Sequence, residues 1–181
     1  MAGTEFELYI RTPIDPQQII MEMREYLEVS APIEIFLWRT VSEVIMYYCD
    51  FPMERLGEHE AAWIRVTAYH LPPFWQKRVS ECFDSLGMTE QPQTDVGVEF
   101  TLSTFDIDYE DGRLEILRLM GPILGLTDGD CFAGTGDCRY CEQVRKNGEV
   151  MIDTSEMRWS EEQKQVLGFP LTIAKIPHLP P

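Results

Sequence analysis

Glu5-Phe6-Glu7-Leu8-Tyr9-Ile10-Arg11-Thr12-Pro13-Ile14-Asp15-Pro16 decides the fold class of this chain. Phe6, Leu8 and Ile10 alternate with Glu5, Glu7 and Tyr9, the two-residue period of a strand with one buried face. Pro13 stops the strand, and Asp15 and Pro16 then supply an N-cap and a first helical residue, with Gln18 placed for a reciprocal capping contact. Ile19, Ile20, Met23, Tyr26 and Leu27 fall on one side of the helix that follows to about Val29, so it should lie across a sheet. A strand feeding an amphipathic helix at the outset, with mostly extended segments after it, points to an α+β protein.

Working outward, Ile33–Thr40 and Glu43–Asp50 are rich in β-branched and aromatic residues and read as a hairpin. The charged segment Phe51–Glu60, with Pro52 and Gly57, reads as a loop before a further strand, Trp63–Leu71. Pro72 and Pro73 end that strand, and Trp75, Val79, Cys82, Phe83 and Leu86 recur at helical spacing up to a C-cap glycine, Gly87. Val96–Leu102 alternates again. Leu114, Leu117 and Met120 follow an acidic run at helical spacing, in a helix that Pro122 should kink or end near Gly121, with Ile123 and Leu124 placed to continue its buried face. Short strands are then expected at Cys131–Ala133, Cys138–Arg145 and Val150–Ile152, with Asn147-Gly148 a strong hairpin signal. Ser160–Leu167 carries the capping-box pair Ser160 and Gln163, and Gly168 closes it. The sum is a single domain over residues 1–170, a mixed, largely antiparallel sheet covered on one face by about three helices. Residues 171–181 form an extended proline-rich tail.

The balance of 31 acidic against 15 basic residues gives a formal charge of -16, which repels phosphate backbones and anionic lipid. Nucleic acid and membrane are therefore excluded as direct ligands, and a basic protein is favoured. No apolar run is long enough to span a bilayer, and Met1–Thr12 lacks the pattern of a signal peptide. Five cysteines, an odd number, argue against a disulfide framework and for a reducing cytoplasm.

Cys131, Cys138 and Cys141 have a C-x6-C-x2-C spacing that could chelate zinc if His178 or Asp137 supplied a fourth ligand, although buried thiols acting as small hydrophobes is the favoured reading. No cofactor is otherwise expected. The run Asp106-Ile107-Asp108-Tyr109-Glu110-Asp111-Gly112 fails as a calcium loop because its glycine comes one position late and Leu117 stands where the bidentate acid belongs. Structurally the run reads as a helix start with a solvated acidic face; functionally it reads as a docking patch made of Asp106, Asp108, Glu110 and Asp111, with Glu54, Glu58 and Glu60 as a second. His59, His70 and His178 lie in no motif, and no nucleophile elbow, phosphate loop or dinucleotide fingerprint occurs, so no enzyme is expected. Trp38, Trp63, Trp75, Trp159 and Tyr47-Tyr48 are large enough to anchor an interface; Trp63 and Trp75 should be buried and Trp159 partly exposed.

Four pieces of the chain, taken in order, resemble an immunity-protein group that protects myxobacteria from lipoprotein toxins exchanged between outer membranes. They are the opening strand with its proline-started helix, the Val96–Leu102 strand, the Leu114–Leu124 helix, and the block from Gly129-Asp130 through Asn147-Gly148 to Trp159. The resemblance implies a cytoplasmic, non-catalytic inhibitor that binds one cognate protein toxin; the acidic charge of the chain points separately to a basic face on that toxin. Two other classes remain beside it: a small zinc-supported regulatory protein, and an acidic phage-type inhibitor that mimics nucleic acid.

Overall fold

The computed structural model describes residues 5–38, 44–53, 62–88, 95–103, 109–135, 140–155 and 158–180. Among the described residues, nine strands and four helices form an α+β fold. The strands are β1 (Glu5–Arg11), β2 (Glu34–Trp38), β3 (Val44–Pro52), β4 (Trp63–His70), β5 (Asp95–Leu102), β6 (Cys131–Thr135), β7 (Tyr140–Lys146), β8 (Glu149–Ile152) and β9 (Leu171–Ile173). The helices are α1 (Pro16–Tyr26), α2 (Pro73–Ser85), α3 (Tyr109–Leu126) and α4 (Glu161–Val166). One sheet runs β2-β3-β4-β5-β1-β6-β7-β8-β9, antiparallel except for the β8/β9 pair.

The opening strand is the middle of that sheet, and both its faces are covered. Phe6, Leu8 and Ile10 enter the larger apolar cluster with Ile19, Ile20 and Met23 of α1 and Leu117, Met120, Ile123 and Leu124 of α3. Tyr9 faces the other way, into a smaller cluster with Val79, Cys82 and Phe83 of α2. Three helices thus share one face, α4 being tied to α3 through Gln163, while α2 lies on the other.

Local chemistry explains most boundaries. The Asp15 carboxylate accepts from the Gln17 N–H at 2.8 Å, which caps α1, and Glu28 at φ 53° helps end it just short of Val29. Gln18 does not complete a reciprocal cap; its amide donates to Glu22 one turn on. Asn147 and Gly148, at φ 52° and 80°, make the tight turn between β7 and β8. Ser160 and Gln163 form the full capping box of α4.

Two expectations are decided by the structure. The third helix continues through Pro122 to Leu126, because Ile123 and Leu124 are buried in the main core and their burial outweighs one lost backbone bond. The segment after residue 170 is not a separate tail. Leu171–Ile173 adds to β8 as a parallel strand, and Ile176 and Leu179 are buried in the α2 cluster despite the neighbouring prolines. The Asp153 carboxylate fastens this segment by accepting from the Ile176 N–H at 2.7 Å.

Candidate interaction surface

The second face of the sheet is covered unevenly. On β1, β6 and β7 it holds Tyr9, Phe132 and Val144, packed under α2 and the segment around Ile176. The β2–β5 half differs: Met46, Tyr48, Arg65, Thr67, Tyr69, Glu99 and Thr101 each remain partly exposed. Strand register sets the order of side chains there. Glu34 lies opposite Tyr48, Tyr48 opposite Thr67, Thr67 opposite Glu99, and Glu99 opposite Glu7 of β1, a single row across five strands. Glu7 and Glu99 are register partners, and the Tyr9 hydroxyl donates to the Glu7 carboxylate at 3.0 Å.

Arg65 is held tightly beside this row. Its Nε and Nη2 donate to the two Asp50 carboxylate oxygens at 2.8 and 2.9 Å, and its guanidinium lies 4.3 Å from the Tyr48 ring centroid and 4.9 Å from that of Trp63. The Tyr48 hydroxyl donates to Glu34, and that bond is the main reason its pKa is raised. Tyr69 lies flat over Gly97, where a Cβ would stand 2.8 Å from the ring, so the glycine lets an aromatic lie down on the open face. Among the described residues this half-face combines the carboxylates of Glu7, Glu34, Asp50 and Glu99 and the single guanidinium of Arg65 with a floor of Met46, Tyr48, Trp63 and Tyr69. Such a surface suits a cationic protein face, with aromatics for contact area and carboxylates for selection.

Of the acidic residues singled out from sequence, only Glu110 and Asp111 are described, and they stand elsewhere. Asp106, Asp108, Glu54, Glu58 and Glu60 lie outside the described residues. Glu110 and Asp111 are exposed in the first turn of α3, on the helix-covered side of the sheet, where Glu110 accepts from the Gln163 amide at 2.9 Å and ties α4 down. The sheet patch was missed because its acids come from separate strands and only pairing register brings them together; the one sequence signal is the acidic alternate positions Glu7 and Glu99 in otherwise apolar strands. Trp63 and Trp75 are half-buried rather than buried. Trp159, expected at the surface, is buried beneath the Arg113 guanidinium at 4.4 Å.

A bulge decides the fate of the cysteines. Ala133 pairs with Gln143 but Gly134 pairs with Cys141, which makes Glu142 the extra residue of β7. Its carboxylate is thereby turned to the helix-covered side, where Arg113 Nη2 donates to it at 2.6 Å, and Cys141 is turned to the opposite side. Gly134 permits the close approach, since a Cβ there would meet the Tyr140 carbonyl oxygen at 1.8 Å. Cys131 therefore sits in the larger apolar cluster and Cys141 against the smaller one. The zinc spacing does not bring these two thiols together; Cys138 and Asp137 lie outside the described residues, and among those described no three His, Cys, Asp or Glu side chains gather as a metal site. Burial pushes the Cys131 thiol up to about 11 and the Cys141 thiol to about 12.

A cavity of about 220 Å³ between β7 and the C-terminal segment is lined by Tyr140, Cys141, Glu142, Asp153, Ile176 and His178, among others. Two of its polar groups, Cys141 and Asp153, are engaged by the fold itself. The Cys141 thiol donates to the Gln143 carbonyl at 3.4 Å and stays protonated, the reverse of an activated nucleophile. Burial acts to raise the Asp153 carboxyl, but bonds from the Ser155 hydroxyl, the Ser155 N–H and the Ile176 N–H outweigh it and hold the group below its usual range. Asp153 is an anchor for the chain end.

No helix among the described residues is long and apolar enough to cross a membrane. No family model, curated protein or solved structure matches this chain.

Proposed function

We propose that this chain is a non-catalytic inhibitor that neutralises a basic protein in the cytoplasm, as an immunity protein does its cognate toxin, by laying the open β2–β5 half-face over the partner's surface. The observation that carries the reading is the row Glu34–Tyr48–Thr67–Glu99–Glu7, in which two carboxylates face each other directly across a strand pair. Carboxylates and an aromatic ring aligned in one row favour a partner that presents cations to it. The formal charge of -16 adds long-range attraction, and the stacked Arg65 keeps the aromatic floor in place before contact.

The test is co-expression with the product of the adjacent gene, scored by co-purification and by rescue of growth. Wild-type protein is expected to bind and to rescue, and Glu7→Lys/Glu99→Lys to do neither while keeping the wild-type circular dichroism spectrum. Equal rescue by wild type and the double variant would show that this face is not the binding surface. No complex and no rescue would remove the inhibitor reading.

A further inference from the structure

Strand β2 is the outermost strand of the sheet, bonded to β3 on one side and, among the described residues, to no strand on the other. In an antiparallel strand alternate residues direct both N–H and C=O outward, so this edge offers a ready ladder for another chain. The two edges of the sheet are treated differently. At the far edge β9 has three residues and is followed at once by a segment packed down through Ile176 and Leu179, with Pro177 between them. Strand β2 is longer, contains no proline or lysine, and exposes large apolar side chains on both of its faces. Ile35 is 65% exposed and Phe36 53%, and Ile45, beside Leu37 on β3, is 50% exposed.

We infer that the partner docks by adding an extended segment to the free edge of β2, continuing the sheet by one strand, with aliphatic and cationic side chains alternating along it. This rests on the inhibitor reading above and specifies how the partner engages. The alternation follows from the pleat. Every second residue of an added strand falls on the side of Ile35 and Ile45, an apolar ledge; the residues between fall on the side of Phe36 and of Glu34 with Tyr48, an aromatic and acidic ledge continuous with the row that ends at Glu7. Aliphatic side chains match the first ledge and lysine or arginine the second, whose aromatic rings and carboxylate both attract cations. A second copy of this chain is the poorer occupant, because edge-to-edge pairing would bring two chains of formal charge -16 together with their Glu34 carboxylates at the junction.

The experiment uses the full chain and two end-capped decapeptide probes, one alternating lysine with valine and one alternating glutamate with valine. Fluorescence anisotropy reads affinity, and amide hydrogen exchange of residues 34–38 reads where the probe lies. The lysine probe is expected to bind about tenfold or more tightly than the glutamate probe, to slow exchange at alternate β2 amides, and to lose about tenfold in affinity to Ile35→Lys/Phe36→Lys. Equal affinity for the two probes overturns the inference, as does binding that leaves the β2 amides unprotected. A dimer without peptide that Ile35→Lys dissolves also overturns it, by showing that a second copy fills the edge. The two readings can fail separately: growth rescue without β2 protection removes only the edge mode, and β2 protection without rescue removes only the inhibitor role.

Discussion

Replacing Arg113 with methionine should destabilise the protein far more than an ordinary substitution, and removing its partner as well should restore part of the loss. Arg113 and Glu142 meet at 2.6 Å with side chains 2% and 5% exposed, and Arg113 Nη1 also donates to Gln163 at 3.0 Å. The second Glu142 oxygen is buried with no hydrogen-bond partner, so methionine at 113 leaves a carboxylate that nothing nearby can compensate. Breaking a buried pair by deleting one member costs about 3–5 kcal/mol. At about 2–4 °C per kcal/mol for a domain of this size, the expected fall in Tm is roughly 6–20 °C. Arg113→Met/Glu142→Leu removes both charges and should cost less than Arg113→Met alone. Urea unfolding followed by circular dichroism gives all three values, and acidity gives a further sign. Burial raises the Glu142 carboxyl and Arg113 opposes that rise, so without the arginine the folded-state value climbs further above the unfolded one. A raised carboxyl contributes stability at low pH that is lost as pH rises through the folded value, and the deficit of Arg113→Met should therefore be larger near about pH 8 than near about pH 5. A single-variant cost below about 1 kcal/mol, or a double variant no better than the sum of the singles, would refute this account of the pair.

Gly97→Ala should cost about 1–3 kcal/mol, because its Cβ would stand 2.8 Å from the Tyr69 ring and lift it from the face; Tyr69→Ala in the same chain should relieve part of that, as unfolding midpoints will show. In a Cys138→Ser background the remaining thiols should react with an aromatic disulfide reagent only after urea is added, since values of about 11 and about 12 leave Cys131 and Cys141 almost wholly protonated at neutral pH. Asp153→Asn should be less stable than wild type at neutral pH. A lowered carboxyl gives stability that is present above its unfolded value of 3.8 and is lost as pH falls through the folded value, so the gap should narrow on acidification, measured as urea midpoints at each pH.

Strand and helix types were legible wherever one face of an element is apolar and its ends carry cap chemistry, as at Phe6-Leu8-Ile10 and Ser160-Gln163. The third helix shows where local rules yield: Pro122 argues for a stop, but Ile123 and Leu124 belong to the core and hold the helix to Leu126. Leu171, Ile176 and Leu179 look unremarkable among prolines, and only the tertiary position of β8 and Asp153 gives them something to bind. The candidate surface was the least legible part. Glu7, Glu34, Asp50 and Glu99 are scattered over four strands, whereas the acidic run from Asp106 to Asp111 catches the eye, and its described acids, Glu110 and Asp111, belong to the first turn of a helix.

The buried arginines explain why an acidic sequence yields so acidic an outside. Arg145 donates to the Leu124 carbonyl at 2.6 Å and to the Gly129 carbonyl, at the C-terminal end of α3, where a cation suits the helix dipole. Arg11 lies 4.1 Å over the Phe83 ring and beside Asp95, and Arg113 is enclosed with Glu142 and Trp159. These cations hold the β1–β6–β7 half to α2, α3 and α4 and are hidden from any partner. On the β2–β5 half, Arg65 is occupied by Asp50 and two aromatic rings. Among the described residues, the half with no helix on its second face is also the half whose outer strand, β2, pairs on one side alone. The docking proposed above is placed there because the buried pairs of the covered half supply stability while the other half keeps aromatic and acidic side chains partly exposed.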